Sequence, residues 1–156
     1  MTDLHFVRLT EVPAADILGH MRDPRVAEHM PLLSMPWTEE TVAAFVAAKD
    51  ACWTRDGLGH WAFLADGTYV GWGGFQKEGD EWDFGLVLRP DHFGLGVKIA
   101  KKALDFARKD ARIPYVTFLL PPSRRRLGAL RRMGAQQVGD ILYEGNRFLK
   151  FRLETR

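Results

Sequence analysis

Four features follow one another in the stretch 84–107, FGLVLRPDHFGLGVKIAKKALDFA: an apolar run, an arginine-proline break, a glycine turn and a patterned charged segment. No other part of the chain constrains the fold as tightly. The run from Phe84 to Leu88 ends at Arg89-Pro90, which reads as a buried strand. From about Val97 onward, Lys98, Lys101, Lys102, Asp105 and Arg108 recur at the spacing of one solvated helix face. Gly94-Leu95-Gly96 lies between strand and helix. Glycines there let the backbone pass close to a ligand, and the first-turn N–H groups of the helix point at it. Such a turn is either a tight connection or a site for a phosphate or pyrophosphate. A Rossmann fingerprint needs a third glycine where Ile99 stands, and a P-loop needs a Gly-Lys-Ser/Thr ending that is missing.

The 156 residues suit one domain, 1–156, with chain enough for a real core. Apolar residues at 46% and charged residues at 27% are the composition of a globular protein rather than a disordered one. A net charge of +2 is too small to argue for nucleic acid. The opening MTDLHFVRLTEV has no apolar signal region, and no apolar run nears the ~18 residues of a membrane span. Cys52 is the only cysteine, so neither an intrachain disulfide nor a cysteine metal cluster can form. Cytoplasmic residence is the resulting expectation. Cys52, next to Trp53 near a helix end, reads as a packed small residue.

Residues 5–9 alternate and read as a strand. Pro13 suits a helix first turn, with Ala14, Ile17, Leu18 and Met21 as the apolar face, ended by Asp23-Pro24. Residues 25–30 read as a short helix, and 31–37, PLLSMPW, as a loop with exposed apolar side chains. Thr38 caps the next helix, with Glu39 and Glu40 favourable against its dipole and Val42, Phe45, Val46 and Trp53 as its buried stripe. Residues 61–64 and 69–76 form a hairpin around Asp66-Gly67, and Gly79-Asp80 turns the chain into a strand over 82–88. The helix after Gly96 is expected to end near Ala111, before Pro114. Residues 115–120 are a strand, Pro122 opens a helix carrying Leu127, Leu130 and Met133, and Gly134 ends it. A last hairpin pairs 138–143 with 147–153. The order β, α, α, β, β, β, α, β, α, β, β predicts an α/β (α+β) fold. Its central sheet is mixed and mostly antiparallel, with about seven strands flanked by helices, and the strands on either side of the 97–111 helix run parallel.

This order, with the glycine turn, resembles the GNAT superfamily of acetyl-CoA-dependent N-acetyltransferases, most closely the branch of the ribosomal-protein N-terminal acetyltransferases. The resemblance covers almost the whole chain. It rests on Asp83-Phe84-Gly85, Leu88-Arg89-Pro90-Asp91, Phe93 and Gly94-Leu95-Gly96, joined by Val7-Arg8-Leu9-Thr10, Asp23-Pro24, Thr38-Glu39-Glu40 and Arg132-Met133-Gly134-Ala135. The sequence departs from the family pattern at three places. Asp91 stands where Gln or Arg is usual before the glycines. Ser123 replaces the asparagine of a late Asn-x-x-Ser motif. The tyrosine that serves many members as general acid is missing near Leu130 or Arg131.

The resemblance implies acetyl transfer from acetyl-CoA to a primary amine, a protein N-terminus or a small amine, by direct attack in a ternary complex. It implies that the fourth and fifth strands splay and that pantetheine pairs with the exposed backbone of Leu86, Val87 and Leu88. An N–H at Val87 or Leu88 is the candidate donor to the thioester oxygen. Phe93 and Gly94 to Val97, with Lys98 and Ile99 behind, would hold the pyrophosphate, and an arginine such as Arg126 the 3′-phosphate. Asp83 and Glu81 share one strand face, and Asp83 matches the family's acidic position. Asp83 is read as a general base acting on the amine, or else as a solvated residue or an arginine's partner. Ser123 is either a hydrogen-bond donor to the coenzyme or a helix N-cap. The five histidines show no metal spacing, and no metal is expected.

Two other function classes remain in view: a coenzyme A-binding or regulatory domain that has lost catalysis, and an RNA-associated protein using arginines 124–126. The second lacks interleaved exposed aromatics, so nucleic acid is not the expected partner. Leu32, Leu33, Met35 and Trp37 suggest an apolar wall of the acceptor site or a homodimer contact.

Overall fold

The computed structural model describes residues 2–27, 36–120, 128–143 and 145–155. Seven strands form one sheet in the order β1-β2-β3-β4-β5-β7-β6. They are β1 (Leu4–Arg8), β2 (His60–Ala65), β3 (Thr68–Glu78), β4 (Glu81–Leu88), β5 (Tyr115–Leu120), β6 (Gln136–Tyr143) and β7 (Asn146–Glu154). Every neighbouring pair is antiparallel except β4 and β5. That exception follows from the helix between them, because a crossover returns the chain in the same direction. The mixed sheet expected from sequence is therefore the observed one.

Turn chemistry sets the β2–β3–β4 meander. Asp66 and Gly67 both have positive φ, at 50° and 83°, as a two-residue type I′ hairpin requires. Gly79 takes φ 61° at the first position of the next two-residue turn, which a side chain would strain. Glycines in β3 serve a second purpose. A Cβ on Gly71 would lie 2.4 Å from the Val87 carbonyl oxygen, and one on Gly73 2.2 Å from that of Gly85. Side chains there would push β4 away.

The helices lie on both faces. On one face, α4 (Gly96–Arg108) buries Ile99, Ala103, Leu104 and Ala107 against Phe63, Val70, Phe75, Phe84, Phe118 and Phe151. On the other, α1 (Ala14–Met21), α2 (Pro24–Ala27) and α3 (Glu39–Asp56) surround a core of Ile17, Met21, Val42, Tyr69, Trp72 and Val87. Thr38 caps α3 as expected, its Oγ1 accepting from the Thr41 N–H at 3.2 Å. The short α5 (Gly128–Arg132) stops at Gly134, with φ 98° and the Ala135 N–H bonded back to the Leu130 carbonyl.

Two expectations need correction. The helix after the glycine turn ends at Arg108 and not near Ala111, because the N–H groups of Lys109 and Asp110 bond three residues back and tighten the chain out of the helix. Trp37 is not an exposed wall residue. It is buried edge-on against Phe45 at 5.4 Å, where the α3 stripe offers an apolar face. The other loop residues singled out, Leu32, Leu33 and Met35, lie outside the described residues, as do Pro122 and Leu127. No helix among the described residues is long and apolar enough to cross a membrane.

Candidate active site

The break in the sheet creates the site. The parallel strands β4 and β5 pair only at Trp82–Val116 and Asp83–Thr117. Beyond Asp83, β4 stays paired with β3 as far as Leu88, and β5 stays paired with β7 as far as Leu120. The two strands therefore diverge, and one edge of β4 from Phe84 to Leu88 has no strand partner among the described residues.

The β3–β4 register decides which backbone groups face that edge. The Arg89 N–H donates to the Val70 carbonyl at 2.8 Å. Antiparallel hydrogen-bonded pairs alternate, so Val87, Gly85 and Asp83 turn their N–H and C=O groups toward β3. Leu86 and Leu88 turn theirs toward the opening. Of the three residues expected to offer backbone there, Val87 is thus excluded, since its groups pair with Trp72.

At the open end of β4, a 3₁₀ turn (Pro90–Leu95) leads into α4. Leu95 holds the cap position of α4 and supplies no side-chain cap. A Cβ on Gly94 would meet nothing within 4 Å, and one on Gly96 would only touch Leu88 at 3.6 Å and Leu86 at 4.0 Å. Neither glycine has a positive φ. The protein's own packing therefore does not demand glycine here, and the space left by the missing side chains is open. Phe93 and Val97 flank the turn and are each 53% exposed, an unusual state for large apolar side chains. Lys98 is exposed. Ile99 is fully buried in the α4 core, so its side chain cannot belong to a binding surface. Asp91, the acidic departure in this motif, is 81% exposed and lies 3.8 Å from Arg25.

At the vertex of the opening stands Asp83. It shares the α1–α3 face of the sheet with Glu81, as their spacing requires, but the two have different surroundings. Glu81 accepts from Lys150 Nζ at 2.6 Å and from the Tyr115 hydroxyl at 3.2 Å, and the lysine holds its carboxyl below the ordinary range. A carboxylate so engaged is a poor base. Asp83 accepts one hydrogen bond, from the buried Thr117 Oγ1 at 3.1 Å. Burial pushes its carboxyl from 3.8 up to about 7, against the lowering effect of that hydrogen bond; Glu78 pushes it further up, and Lys150 and Lys49 pull it down. Its pKa thus lies where a carboxylate can both take and release a proton near neutrality.

Four residues around this end of β4, Thr117 among them, were not singled out from the sequence. Gln76 pairs with Asp83 across β3 and β4 and accepts from Lys49 Nζ at 2.7 Å. Lys49 lies 5.6 Å from the Trp72 ring centre and 5.8 Å from that of Phe45, and burial lowers its pKa. His60 is buried with its ring edge 3.8 Å from the position a Gly85 Cβ would take, and its Nδ1 has no partner among the described residues. Burial, then Lys49, keeps its imidazole neutral. Lys49 had a signal in the sequence, because it interrupts the apolar stripe 42, 45, 46, 53 at helical spacing. His60, Gln76 and Thr117 are joined to Asp83 only by sheet register, which no local pattern announces.

The remaining expected residues, Ser123 and Arg126, lie outside the described residues. Buried Leu130 and exposed Arg131 occupy the place where a tyrosine was looked for. No group of three metal-ligating side chains occurs among the described residues.

Comparison with known proteins agrees with the fold that carries this site. An acetyltransferase from Agrobacterium tumefaciens superposes with a TM-score of 0.77 at 18% identity, covering 97% of this chain and 90% of that one. A spermidine N-acetyltransferase from Vibrio cholerae, solved with CoA and spermine, gives 0.75 at 9% identity, covering 99% and 95%. A ribosomal-protein alanine N-acetyltransferase from Escherichia coli gives 0.66 at 16% identity, covering 99% and 94%. These likenesses establish the fold, and the family model for the acetyltransferase (GNAT) domain matches residues 3–136. The chain belongs to the GNAT family and is an acetyl-CoA-dependent N-acetyltransferase.

Proposed function

We propose that the chain transfers an acetyl group to a primary amine inside a ternary complex, with acetyl-CoA lying along the open edge of β4 and the amine approaching from the α1–α3 face at Asp83. The observation that carries this reading is the vertex itself. The β4–β5 pairing stops at Asp83, and that residue holds a carboxyl with a pKa of about 7. Pantetheine amides would pair with the Leu86 and Leu88 backbone, and the Leu88 N–H is the candidate donor to the thioester oxygen. The pyrophosphate would take the space at Gly94 and Gly96 beside the uncapped start of α4. Phe93 and Val97 would lose their exposure to the coenzyme.

A protonated amine has no lone pair to give. In this scheme Asp83 accepts its proton, directly or through water. The amine nitrogen attacks the thioester carbon, the C–S bond breaks, and the second proton of the attacking nitrogen passes to the departing thiolate, directly or through water, leaving the amide and coenzyme A. The Thr117 hydroxyl positions the carboxylate and stabilises it when ionised. The raised pKa of Asp83 favours this reading over a degenerate coenzyme-binding domain, since a half-buried carboxylate without a cation partner destabilises a fold that has no use for it.

Two measurements test the proposal. Calorimetry should register acetyl-CoA binding to both the parent and Asp83→Asn. Thiol release with a mixed pool of amines and peptides should then fall by roughly 10²–10⁴-fold in the variant, the range for loss of a general base. Equal rates at neutral pH on the true acceptor would reduce Asp83 to a structural residue.

A further inference from the structure

The acceptor side of the site carries a cation with unfilled hydrogen-bonding capacity. Lys49 Nζ has three donors and uses one, toward Gln76 Oε1. Among the described residues no carboxylate lies within ion-pair distance of it. Two acids are close enough for their charge to act on it. Glu78 accepts from Gln76 Nε2 at 3.0 Å and Asp83 from Thr117 Oγ1 at 3.1 Å, and neither bonds the ammonium. The ammonium is half-buried over the Trp72 and Phe45 rings, where a charge is costly without a counter-ion.

Its position relates it to the chemistry. Gln76, which holds Lys49, is the cross-strand partner of Asp83, and adjacent strands lie ~4.8 Å apart. Gln76 also lines a polar cleft of about 440 Å³, together with Arg55, Asp56, Lys77, Glu78 and Tyr143. Lys49 is also close enough to Asp83 for its charge to lower that carboxyl, so a substrate a few atoms long spans the proton acceptor and the cation.

We infer that the acceptor is an amine bearing a carboxylate within a few bonds of its nitrogen, as in a free amino acid, with Lys49 binding that carboxylate while Asp83 takes the ammonium proton. The inference rests on the transferase site proposed above and names its substrate class. A polycationic acceptor would bring further positive charge toward Lys49 and toward Arg55 and Lys77 at the cleft.

The test compares free amino acids with their carboxamides, and with spermidine, on the intact chain. A carboxamide has the less basic α-amine, so a larger share of it is neutral and intrinsic reactivity favours it. Preference for the carboxylate must then come from the protein. The expected kcat/KM is at least 10-fold higher for the amino acids than for their carboxamides or spermidine. Lys49→Met, which keeps the apolar stem, should lower kcat/KM for amino acids by roughly 10- to 100-fold, the range for one charge-assisted hydrogen bond, mainly through KM. Measured at about pH 9, where Asp83 is ionised with or without the Lys49 charge, it should leave carboxamide turnover and the KM for acetyl-CoA nearly unchanged. Carboxamides or spermidine used as well as amino acids would overturn this inference alone. Equal losses on both acceptors in Lys49→Met would do the same. Transfer to no amine at all, with acetyl-CoA still bound, would overturn the transferase site as well.

Discussion

Asp83→Asn should make the protein more stable, by an amount that grows from about pH 4 and is complete only above neutrality. Burial raises this carboxyl from 3.8 to about 7. Between those values the folded chain holds a proton at Asp83 that the unfolded chain releases. Folding then binds a proton, and stability falls by ~1.4 kcal/mol for each pH step across the interval. The stabilising contribution of the protonated acid is complete below 3.8 and lost once pH passes about 7. The full span comes to about 4 kcal/mol, and partial solvent access at the open edge brings the expectation to roughly 2–4 kcal/mol. Asparagine cannot ionise, has nearly the same shape, and its amide oxygen still accepts from Thr117 Oγ1. Paired urea titrations of parent and variant from pH 4 to 9 measure the difference. It should be near zero at pH 4, grow through pH 7 and level off above pH 8. The variant should then melt roughly 5–15 °C higher in that alkaline range, given ~2–4 °C per kcal/mol for a chain of this size. A difference that stays flat with pH, or that favours the parent at pH 8, would refute the raised pKa and with it the argument for Asp83 as a base.

Other expectations follow from separate parts of the molecule. Gly96→Asp adds bulk and negative charge where the pyrophosphate is placed, and calorimetry on the folded variant should show acetyl-CoA affinity strongly reduced; unchanged affinity would move the phosphate site elsewhere. Gly73→Ala puts a methyl 2.2 Å from the Gly85 carbonyl oxygen, so denaturation should report a loss of about 1–3 kcal/mol or more as β4 is displaced. Thr38→Ala removes the cap of α3 and should cost about 1 kcal/mol in the same assay with no change in acetyl-CoA binding.

Much of the architecture is legible in local patterns because local physics determines it. Asp66-Gly67 announces its hairpin through the backbone angles it permits, Thr38 announces its helix through its hydroxyl, and the lysines of α4 mark the face that stays in water. The misjudged places are those where a distant element decides. Trp37 looks exposed in PLLSMPW because nothing near it in sequence is its partner; Phe45, eight positions on, is. Ile99 sits among glycines and lysines but is core, since helical phase turns it inward with Ala103 and Ala107. Val87 cannot be told from Leu88 as an edge donor by composition, and only the phase of the β3 ladder separates them.

The difference between Asp83 and Glu81 belongs to the same class, and it carries the most functional weight. In sequence they are two acids on one strand face. In the fold the sheet gives Glu81 a lysine from β7 and a phenol from β5, whereas Asp83 receives a single hydroxyl. The strand pairing that brings Thr117 to Asp83 is the last pair before β4 and β5 part. One topological event therefore does two things. It frees the backbone edge on which a thioester can lie, and it leaves beside that edge a carboxyl buried enough to be neutralised and unpaired enough to need a proton. A carboxyl with a pKa near neutrality at the vertex follows from where the sheet opens. Lys150→Met supplies the corresponding check. It removes the cation that holds Glu81 and that also lowers Asp83. The acid limb of the pH–rate profile should move to higher pH as the Asp83 carboxyl rises further. A limb that moves to lower pH would mean that some other group takes the proton.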